Sequence, residues 1–240
     1  MANKLKPKQK KDENVGFDVQ LTKAEAFFEK NGKLIVGIFV GIIVVAMCIW
    51  GFKKCKASEE EDAQNAIAPC QQAFARQDYT KALNGDGAQS IGFKRIIDEY
   101  SGTKTSNISR LYAAICVLKN DSTLSGKSFD EAIKYLQDYE VQDDNTISAA
   151  AIEMLGNCMI SKGDKQGGAE KLIEAATKAD NDALSPQFLL QAGEVYEDLK
   201  QPEKALELYE KIKKDYPQSP ICSGNDPTLN IETFIERVKK

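Results

Sequence analysis

The feature that most constrains this chain is a stretch of nineteen apolar residues near its N-terminus, residues 34–52, which contains no charged side chain. As an α-helix this stretch would be about 28 Å long, close to the ~30 Å thickness of the hydrocarbon core of a bilayer. Lysines stand on both sides of it, and Trp50 lies where aromatic side chains commonly meet the membrane interface. A buried helix of a globular protein is seldom apolar on every face for five turns. The stretch therefore predicts one transmembrane helix.

A cleaved signal peptide is the main alternative interpretation of this stretch. The apolar core is longer than the usual core of a signal peptide, and 33 mostly polar residues precede it. The residues before Cys48 lack the small side chain that a lipoprotein signal requires, and Cys55 to Ala57 form a poor cleavage site. We therefore expect the segment to remain as an anchor.

The lysines around the anchor predict its orientation, because lysine and arginine accumulate on the cytoplasmic side of membrane helices. Residues 1–33 contain eight lysines. Only three follow the apolar stretch before the chain becomes acidic at residues 59–62. The N-terminus is accordingly expected in the cytoplasm and the C-terminal part outside it. In a bacterium this places the protein in the inner membrane, with its C-terminal domain in the periplasm.

Within the apolar stretch, Gly37 and Gly41 form a GxxxG pair. Small residues four positions apart allow two membrane helices to approach closely. The pair is a candidate face for helix–helix packing, although glycine is also common in membrane helices for reasons of composition alone.

Composition excludes several classes of function. The chain from residue 53 onward has a net charge of −7, whereas a nucleic-acid-binding domain is usually basic. Histidine is absent, and the six cysteines form no CxxC pair, which argues against a metal site. No phosphate-binding loop, nucleophile elbow or dinucleotide fingerprint occurs. We therefore predict a non-catalytic protein without cofactor, metal, small-molecule substrate or nucleic acid.

The soluble part contains a repeat-like unit at residues 187–217. It resembles a tetratricopeptide repeat, in which fixed small, aromatic and proline positions mark two antiparallel helices. Gly193 and Ala205 are expected to be the points of close approach between these helices. The residues at the signature positions are Gly193, Tyr196, Ala205, Tyr209 and Pro217, with Leu189 where tryptophan is usual.

The same spacing recurs earlier in the chain. At a shift of 37 residues the matching positions are Gly156, Met159, Gly168, Leu172 and Ala175. A further shift brings Ala132, Leu136 and Tyr139 into the pattern, and residues 93–100 resemble residues 209–216. This periodicity predicts an all-α protein, in which one transmembrane helix precedes a tetratricopeptide-repeat-like α-solenoid.

Helix-start signals set the predicted boundaries. A capping box at Ser128 and Glu131, an N-cap at Ser185 and a start near Asp226 are expected. The predicted helices cover residues 20–31, 34–56, 57–83, 87–100, 106–119, 129–139, 147–161, 165–179, 186–199, 202–215 and 228–239. The membrane helix can also run straight into residues 59–75, because no helix-breaking residue precedes Pro69. The predicted parts are a basic cytoplasmic tail with a short amphipathic helix (1–33), the transmembrane helix (34–52) and a periplasmic repeat domain (53–240).

Solenoids of this kind bind partners on a concave surface built from the first helix of each repeat. The repeat pattern predicts that this surface mixes acidic and apolar side chains. A basic or amphipathic polypeptide segment is therefore a reasonable ligand, although a solvated face without a ligand is an equally simple interpretation. The residues expected on this surface are Glu153, Asn157, Ile160, Ser161, Gln187, Leu190, Glu194, Glu197 and Asp198.

The order of these parts resembles the YfgM-like family of bacterial inner-membrane proteins. Two runs carry the resemblance: residues 27–33 (FFEKNGK) before the anchor and residues 92–100 (GFKRIIDEY) after it. The resemblance implies an ancillary subunit of the SecYEG translocon. It also implies association with a membrane-anchored periplasmic chaperone of the prolyl-isomerase type, and a role in receiving or handing on secreted polypeptides.

Two other functions remain open from the sequence. One is a scaffold that organises envelope assembly or cell division. The other is a receptor with its repeats in the cytosol, if the topology is inverted.

Overall fold

The computed structural model describes residues 13–223 and 230–240, and all regular secondary structure in these ranges is helical. The prediction of an all-α protein is confirmed. In chain order the helices are α1 (Glu13–Ala75), α2 (Tyr79–Asn84), α3 (Phe93–Glu99), α4 (Lys104–Asn120), α5 (Gly126–Gln137), α6 (Ile147–Ser161), α7 (Lys165–Ala179), α8 (Ser185–Asp198), α9 (Pro202–Asp215) and α10 (Ile231–Val238).

The chain divides into two compact units, of which the first ends at Ala57 and the second begins at Ser58. The first unit contains the apolar residues 34–52. The large hydrophobic side chains of residues 34 and 36–52 are between 48% (Val44) and 67% (Trp50) exposed. By length and composition this is the one helix in the described ranges that could cross a membrane. An exposed apolar surface of this extent is unusual in water and favours a lipid environment. The division at residues 33 and 52 and the orientation stay predictions.

Residues 13–75 form a single helix. The continuation of the membrane helix into residues 59–75, which the sequence allowed, is confirmed, whereas the predicted break between residues 31 and 34 is wrong. Gly32 does not end the helix, because one glycine costs only about 1 kcal/mol in a helix interior. Pro69 also lies inside α1. The helix continues past it because Ile67, Cys70 and Ala73 on either side are buried in a hydrophobic cluster.

The predicted helix end at residue 83 is wrong, because the chain turns at Gln77. Gln77 has a left-handed backbone conformation with φ 63°, which ends α1. Asp78 then caps α2, and its side chain accepts a hydrogen bond from the backbone N–H of Lys81 at 3.1 Å. Asparagine and aspartate favour this role because their short side chains reach the free N–H groups of the first turn.

The predicted helix 87–100 begins only at Phe93. The Asp86 carboxylate accepts backbone N–H bonds from Ala88, Gln89 and Ser90 at 2.9–3.1 Å, and these bonds fold the segment into a turn. Gly92 precedes α3 with φ 84°, a conformation that favours glycine. The remaining predicted helices agree with the structure within three residues at each end.

The second unit is a row of helix pairs. Helices α4 with α5, α6 with α7, and α8 with α9 pack as neighbours, and α10 packs on α9. The largest hydrophobic cluster joins α6 to α10. Two further clusters join the end of α1 to α2, α3 and α4, and α4 to α5 and α6. This succession of pairs is the α-solenoid that the sequence predicted.

Three predicted helix starts differ from the structure. Ser125, not Ser128, precedes α5, and the Ser128 hydroxyl donates to the Ser125 carbonyl at 2.8 Å. Ser185 is the first residue of α8, and its hydroxyl donates to the carbonyl of Ala176 on α7 at 2.8 Å. Asn230 caps α10, whereas the predicted start near Asp226 lies outside the described residues.

Candidate functional site: a groove between α6 and α8

The α8–α9 pair is built around the contact of Gly193 with Tyr209. A Cβ placed on Gly193 would clash with the Tyr209 ring, with Cζ only 2.8 Å away. Tyr209 is fully buried, and its ring fills the space that the missing side chain leaves. Glycine at this position therefore sets how closely α8 and α9 approach.

The α6–α7 pair has the corresponding contact between Gly156 and Gly168. A Cβ on Gly168 would lie 2.6 Å from the carbonyl oxygen of Gly156, and a Cβ on Gly156 would lie 2.9 Å from that of Gly168. Leu172, one turn further along α7, is completely buried. Two backbones thus touch where the repeat spacing places small residues.

The other signature residues take different positions. Ala205 is completely buried at the start of α9, and Tyr196 is 5% exposed on α8. Lys204 lies 5.1 Å from the centre of the Tyr196 ring, a cation–π distance. Pro217 is exposed, two residues beyond the end of α9. Pro217 cannot continue a helix, which is consistent with the chain leaving the pair at this point.

A groove of about 360 Å³ separates α6 from α8, the first helices of these two pairs. Leu172 of α7 lies at its floor. Both apolar and polar side chains of α6 and α8 form its walls. The residues that line it are Asn157, Ile160, Lys165, Leu172, Gln191, Glu194, Val195 and Asp198.

The structure brings four of the residues predicted for the binding surface into this groove: Asn157, Ile160, Glu194 and Asp198. Gln187 and Ser161 are exposed on the same two helices but do not line it. Glu153 lies one turn before Asn157 and accepts a hydrogen bond from the Asn157 amide. The binding role of these residues stays a prediction.

The prediction that Leu190 lies on the exposed surface is wrong. Its side chain is only 7% exposed and packs in the core cluster that joins α6 to α10. Leu190 is buried because α8 packs against both α7 and α9. The apolar stripe of α8 must therefore be wider than that of a helix with only one buried face.

Glu197 is occupied by contacts within the protein. The Tyr209 hydroxyl donates to its Oε1 at 2.6 Å, and Arg237 of α10 donates through Nε at 2.9 Å and Nη2 at 2.6 Å. Burial opposes ionisation, but the bonds from Arg237 and Tyr209 outweigh it and lower the pKa of Glu197. Glu197 therefore joins α10 to the repeats instead of facing the groove.

Negative charge dominates the groove. Lys165 forms an ion pair with Asp198, so these two charges cancel. Glu194 is exposed and forms no ion pair with the side chains that the structure describes, those of residues 30–34, 36–223 and 230–240. Burial raises the pKa of Glu153, against the opposing effect of the hydrogen bond from Asn157. A ligand that supplies positive charge or N–H donors suits such a surface.

Gln191, Val195 and Lys165 line the groove but were missed by the sequence analysis. The signal that could have found the first two is a simple helical stripe from Gln187, with steps of four, three and one residues to 191, 194 and 195. Gln191 Oε1 is buried without a hydrogen-bond partner in the described structure. Such an atom is rare in a folded protein and calls for an explanation.

The candidate membrane face, Gly37 and Gly41, lies in the first unit. Nothing of the described structure approaches within 4 Å of a Cβ placed on either glycine. The protein's own described residues therefore leave this face open, and its role in helix packing stays a prediction.

Among the described residues, no group of three or more histidine, cysteine, aspartate or glutamate side chains could hold a metal ion. A family model described as a tetratricopeptide repeat-like domain matches residues 25–218, more than half of the chain. Folds of this kind suggest a protein-interaction adaptor and are typically non-catalytic. No curated protein matches the chain significantly. By this match, the chain belongs to the tetratricopeptide repeat-like domain family.

Proposed function

We propose that this protein is a membrane-anchored, non-catalytic adaptor that acts as an ancillary subunit of a bacterial Sec translocon. Its one apolar helix would lie in the inner membrane, with the N-terminus in the cytoplasm and the repeat domain in the periplasm. There the repeats would receive emerging polypeptides and link the channel to a membrane-anchored chaperone of the prolyl-isomerase type. This is the role that membership of the YfgM-like family would imply.

The observation that carries the proposal is the joint match of anchor and repeats to one family model. The match runs from residue 25 to residue 218 and so takes in the apolar stretch together with α2 to α9. The eight lysines of residues 1–33 support the orientation, because they outnumber the three that follow the helix. The runs at 27–33 and 92–100 support the narrower family.

Affinity purification from native membranes in a mild detergent tests the proposal. Mass spectrometry of the co-eluting proteins should recover channel subunits and a periplasmic chaperone. Recovery of division or envelope-assembly proteins would instead favour a scaffold, and recovery of the protein alone would contradict the translocon role.

Topology is tested separately with a membrane-impermeant maleimide. Cys55, just after the apolar stretch, is exposed, whereas Cys70, Cys116 and Cys158 are buried. A variant that retains Cys55 alone should react in intact spheroplasts without permeabilisation. Reaction only after permeabilisation would place the repeats in the cytosol and favour a cytosol-facing receptor.

A further inference from the structure

We propose that the C-terminal end of the apolar stretch binds the headgroup phosphates of anionic phospholipids through three lysines, Lys53, Lys54 and Lys56. These lysines follow the stretch directly and belong to the first compact unit of the chain. The inference goes beyond the proposed function. It rests on the membrane anchor, but it requires neither the translocon nor a particular orientation of the anchor.

No carboxylate of the described structure neutralises these three lysines. All three side chains are exposed, and none forms an ion pair with the side chains of residues 30–34, 36–223 and 230–240. The preference of lysine for the cytoplasmic side does not explain them, because in the proposed orientation they lie on the opposite side. Three adjacent cations therefore remain available to an anion.

Two of the lysines turn back toward the apolar stretch and contact its last aromatic residues. Lys54 Nζ lies 5.5 Å from the centre of the Trp50 ring, and Lys56 Nζ lies 5.4 Å from the centre of the Phe52 ring. Both are cation–π distances. Each pair is four residues apart, because a helical side chain points toward the N-terminus of its helix. The ammonium groups consequently lie beside the aromatic rings, at the depth where such rings meet the headgroups of a bilayer.

The lysines and the glycines of the apolar stretch occupy different faces of α1. Successive residues of an α-helix are rotated by about 100°. Gly37 and Gly41 are accordingly about 140° and 180° away from Trp50, whereas Lys54 is only about 40° away from it. A membrane helix packed on the glycine face would therefore leave Trp50 and Lys54 directed toward lipid.

Phospholipid headgroups are the anions that this position favours. A lysine ammonium is a compact point charge with three hydrogen-bond donors, which suits the oxygens of a phosphodiester. Each basic residue near an anionic bilayer surface strengthens binding by about fivefold. Zwitterionic headgroups carry a compensating cation, so the lysines should select lipids with a net negative charge. An acidic protein segment is a less suitable occupant, because it would have to approach the end of the stretch past the headgroups themselves.

Trp50 is the only tryptophan of the chain and therefore reports on the lipids at this position. The full-length protein is reconstituted into vesicles of equal parts phosphatidylcholine and phosphatidylglycerol. In each preparation one of the two lipids carries brominated acyl chains, which quench tryptophan fluorescence on contact. Brominated phosphatidylglycerol should quench Trp50 more strongly, by an amount that corresponds to a local enrichment of about threefold to fivefold. Both leaflets have the same composition, so the orientation of the anchor does not affect the result.

Variants assign the enrichment to the lysines. Lys54→Gln with Lys56→Gln should reduce the enrichment to less than about half of its wild-type value, because it removes two of the three charges. Lys54→Arg with Lys56→Arg keeps both charges and should retain it. The matched control, Lys30→Gln with Lys33→Gln, removes two exposed lysines from the other end of the stretch and should leave the quenching of Trp50 unchanged.

The outcomes separate this inference from the proposed function. Equal quenching of the wild-type protein by the two brominated lipids, or an enrichment that the glutamine variant retains, would overturn the inference and leave the translocon role intact. Quenching by neither lipid would show that Trp50 does not lie in the bilayer, which contradicts the anchor and both proposals. Enrichment of the anionic lipid around a protein that recovers no channel subunit would support the inference and contradict the translocon role.

Discussion

The hydroxyl of Tyr209 donates a 2.6 Å hydrogen bond to the carboxylate of Glu197, and this bond joins the second helix of the last repeat to its first. Arg237 of α10 binds the same carboxylate through two nitrogen atoms. The Tyr209 ring also lies 5.6 Å from that of Phe234 on α10. One partly buried carboxylate–phenol pair therefore fixes the terminal helix that closes the solenoid.

Replacement of Arg237 by methionine should loosen α10. The change removes the bidentate ion pair but keeps an aliphatic stem above the Phe234 ring, which lies 4.7 Å from the guanidinium. Because Arg237 is about half exposed (49% of its side chain), we expect a loss of only about 1 kcal/mol in the free energy of unfolding. Hydrogen–deuterium exchange should accelerate in α10 and remain unchanged in α4 and α5.

The pH dependence of this variant provides a second readout. The folded protein lowers the pKa of Glu197 below its ordinary value of 4.5, so the stabilisation is present above about pH 4.5 and is lost as the pH falls through the folded pKa. The difference between the wild-type protein and Arg237→Met should therefore shrink in acid. A difference independent of pH would contradict the ion-pair explanation.

Substitution of Gly193 by alanine should destabilise the α8–α9 pair. The new methyl group would press against the Tyr209 ring, which is fully buried and cannot move away without disturbing the core. Overpacking of this kind costs about 1–3 kcal/mol. Thermal unfolding followed by circular dichroism measures the change.

Gly126→Ala is the matched control for this experiment. The nearest atom to a Cβ on Gly126 is Lys162 Nζ at 3.8 Å, an ordinary contact. Alanine should therefore be neutral or should stabilise α5 by up to about 1 kcal/mol, because it is a better helix former. A Gly193→Ala protein as stable as Gly126→Ala would show that α8 and α9 do not depend on close approach.

Glu153→Gln should stabilise the protein at neutral pH. Burial raises the pKa of Glu153, so the folded state favours the protonated carboxyl. This contribution to stability is fully present below the unfolded pKa of about 4.5 and is lost as the pH rises through the higher folded pKa. At pH 7 the ionised side chain is a net cost. Glutamine removes the charge and keeps an oxygen for Asn157, so the free energy of unfolding at pH 7 should rise.

The advantage of Glu153→Gln should vanish near pH 4, where Glu153 is itself protonated. Unfolding curves at the two pH values measure this difference. Glu207→Gln, an exposed position in the middle of α9, is the control and should leave stability unchanged. A loss of stability at pH 7 would show that the Glu153 charge has a stabilising partner.

The repeat helices were predictable because their signals are local. Gly193 and Tyr209, like Gly156 and Gly168, stand at spacings that a pair of packed helices requires, and α6, α7 and α9 begin and end where the sequence predicted. The turns at residues 76–92 were not predictable from the same periodicity. They depend on the left-handed backbone conformation of Gln77 and on three backbone N–H groups that donate to one oxygen of Asp86. Neither feature changes the spacing of hydrophobic residues in the sequence.

The groove was predictable only in part. The positions of Asn157 on α6 and Glu194 on α8 follow from the repeat pattern. Whether the neighbouring side chains face the groove depends on contacts with residues distant in sequence. Glu197 is bound by Arg237, forty residues away, through a helix whose docking the repeat pattern does not specify. The burial of Gln191 Oε1 without a hydrogen-bond partner likewise leaves no signal in the repeat pattern.

The last prediction concerns the open face at Gly37 and Gly41. A Cβ at either position meets nothing of the described chain, so replacement by isoleucine should leave the thermal unfolding of the repeats unchanged. If another membrane helix packs on this face, the two added side chains would separate the backbones. A loss of about 1–2 kcal/mol in association would reduce recovery of membrane partners roughly fivefold to thirtyfold in affinity purification. The matched control, Val36→Ile with Val40→Ile, enlarges neighbouring side chains but leaves both glycines and should preserve recovery. Equal recovery by the glycine variant and this control would show that the anchor does not use the glycine face to bind its partners.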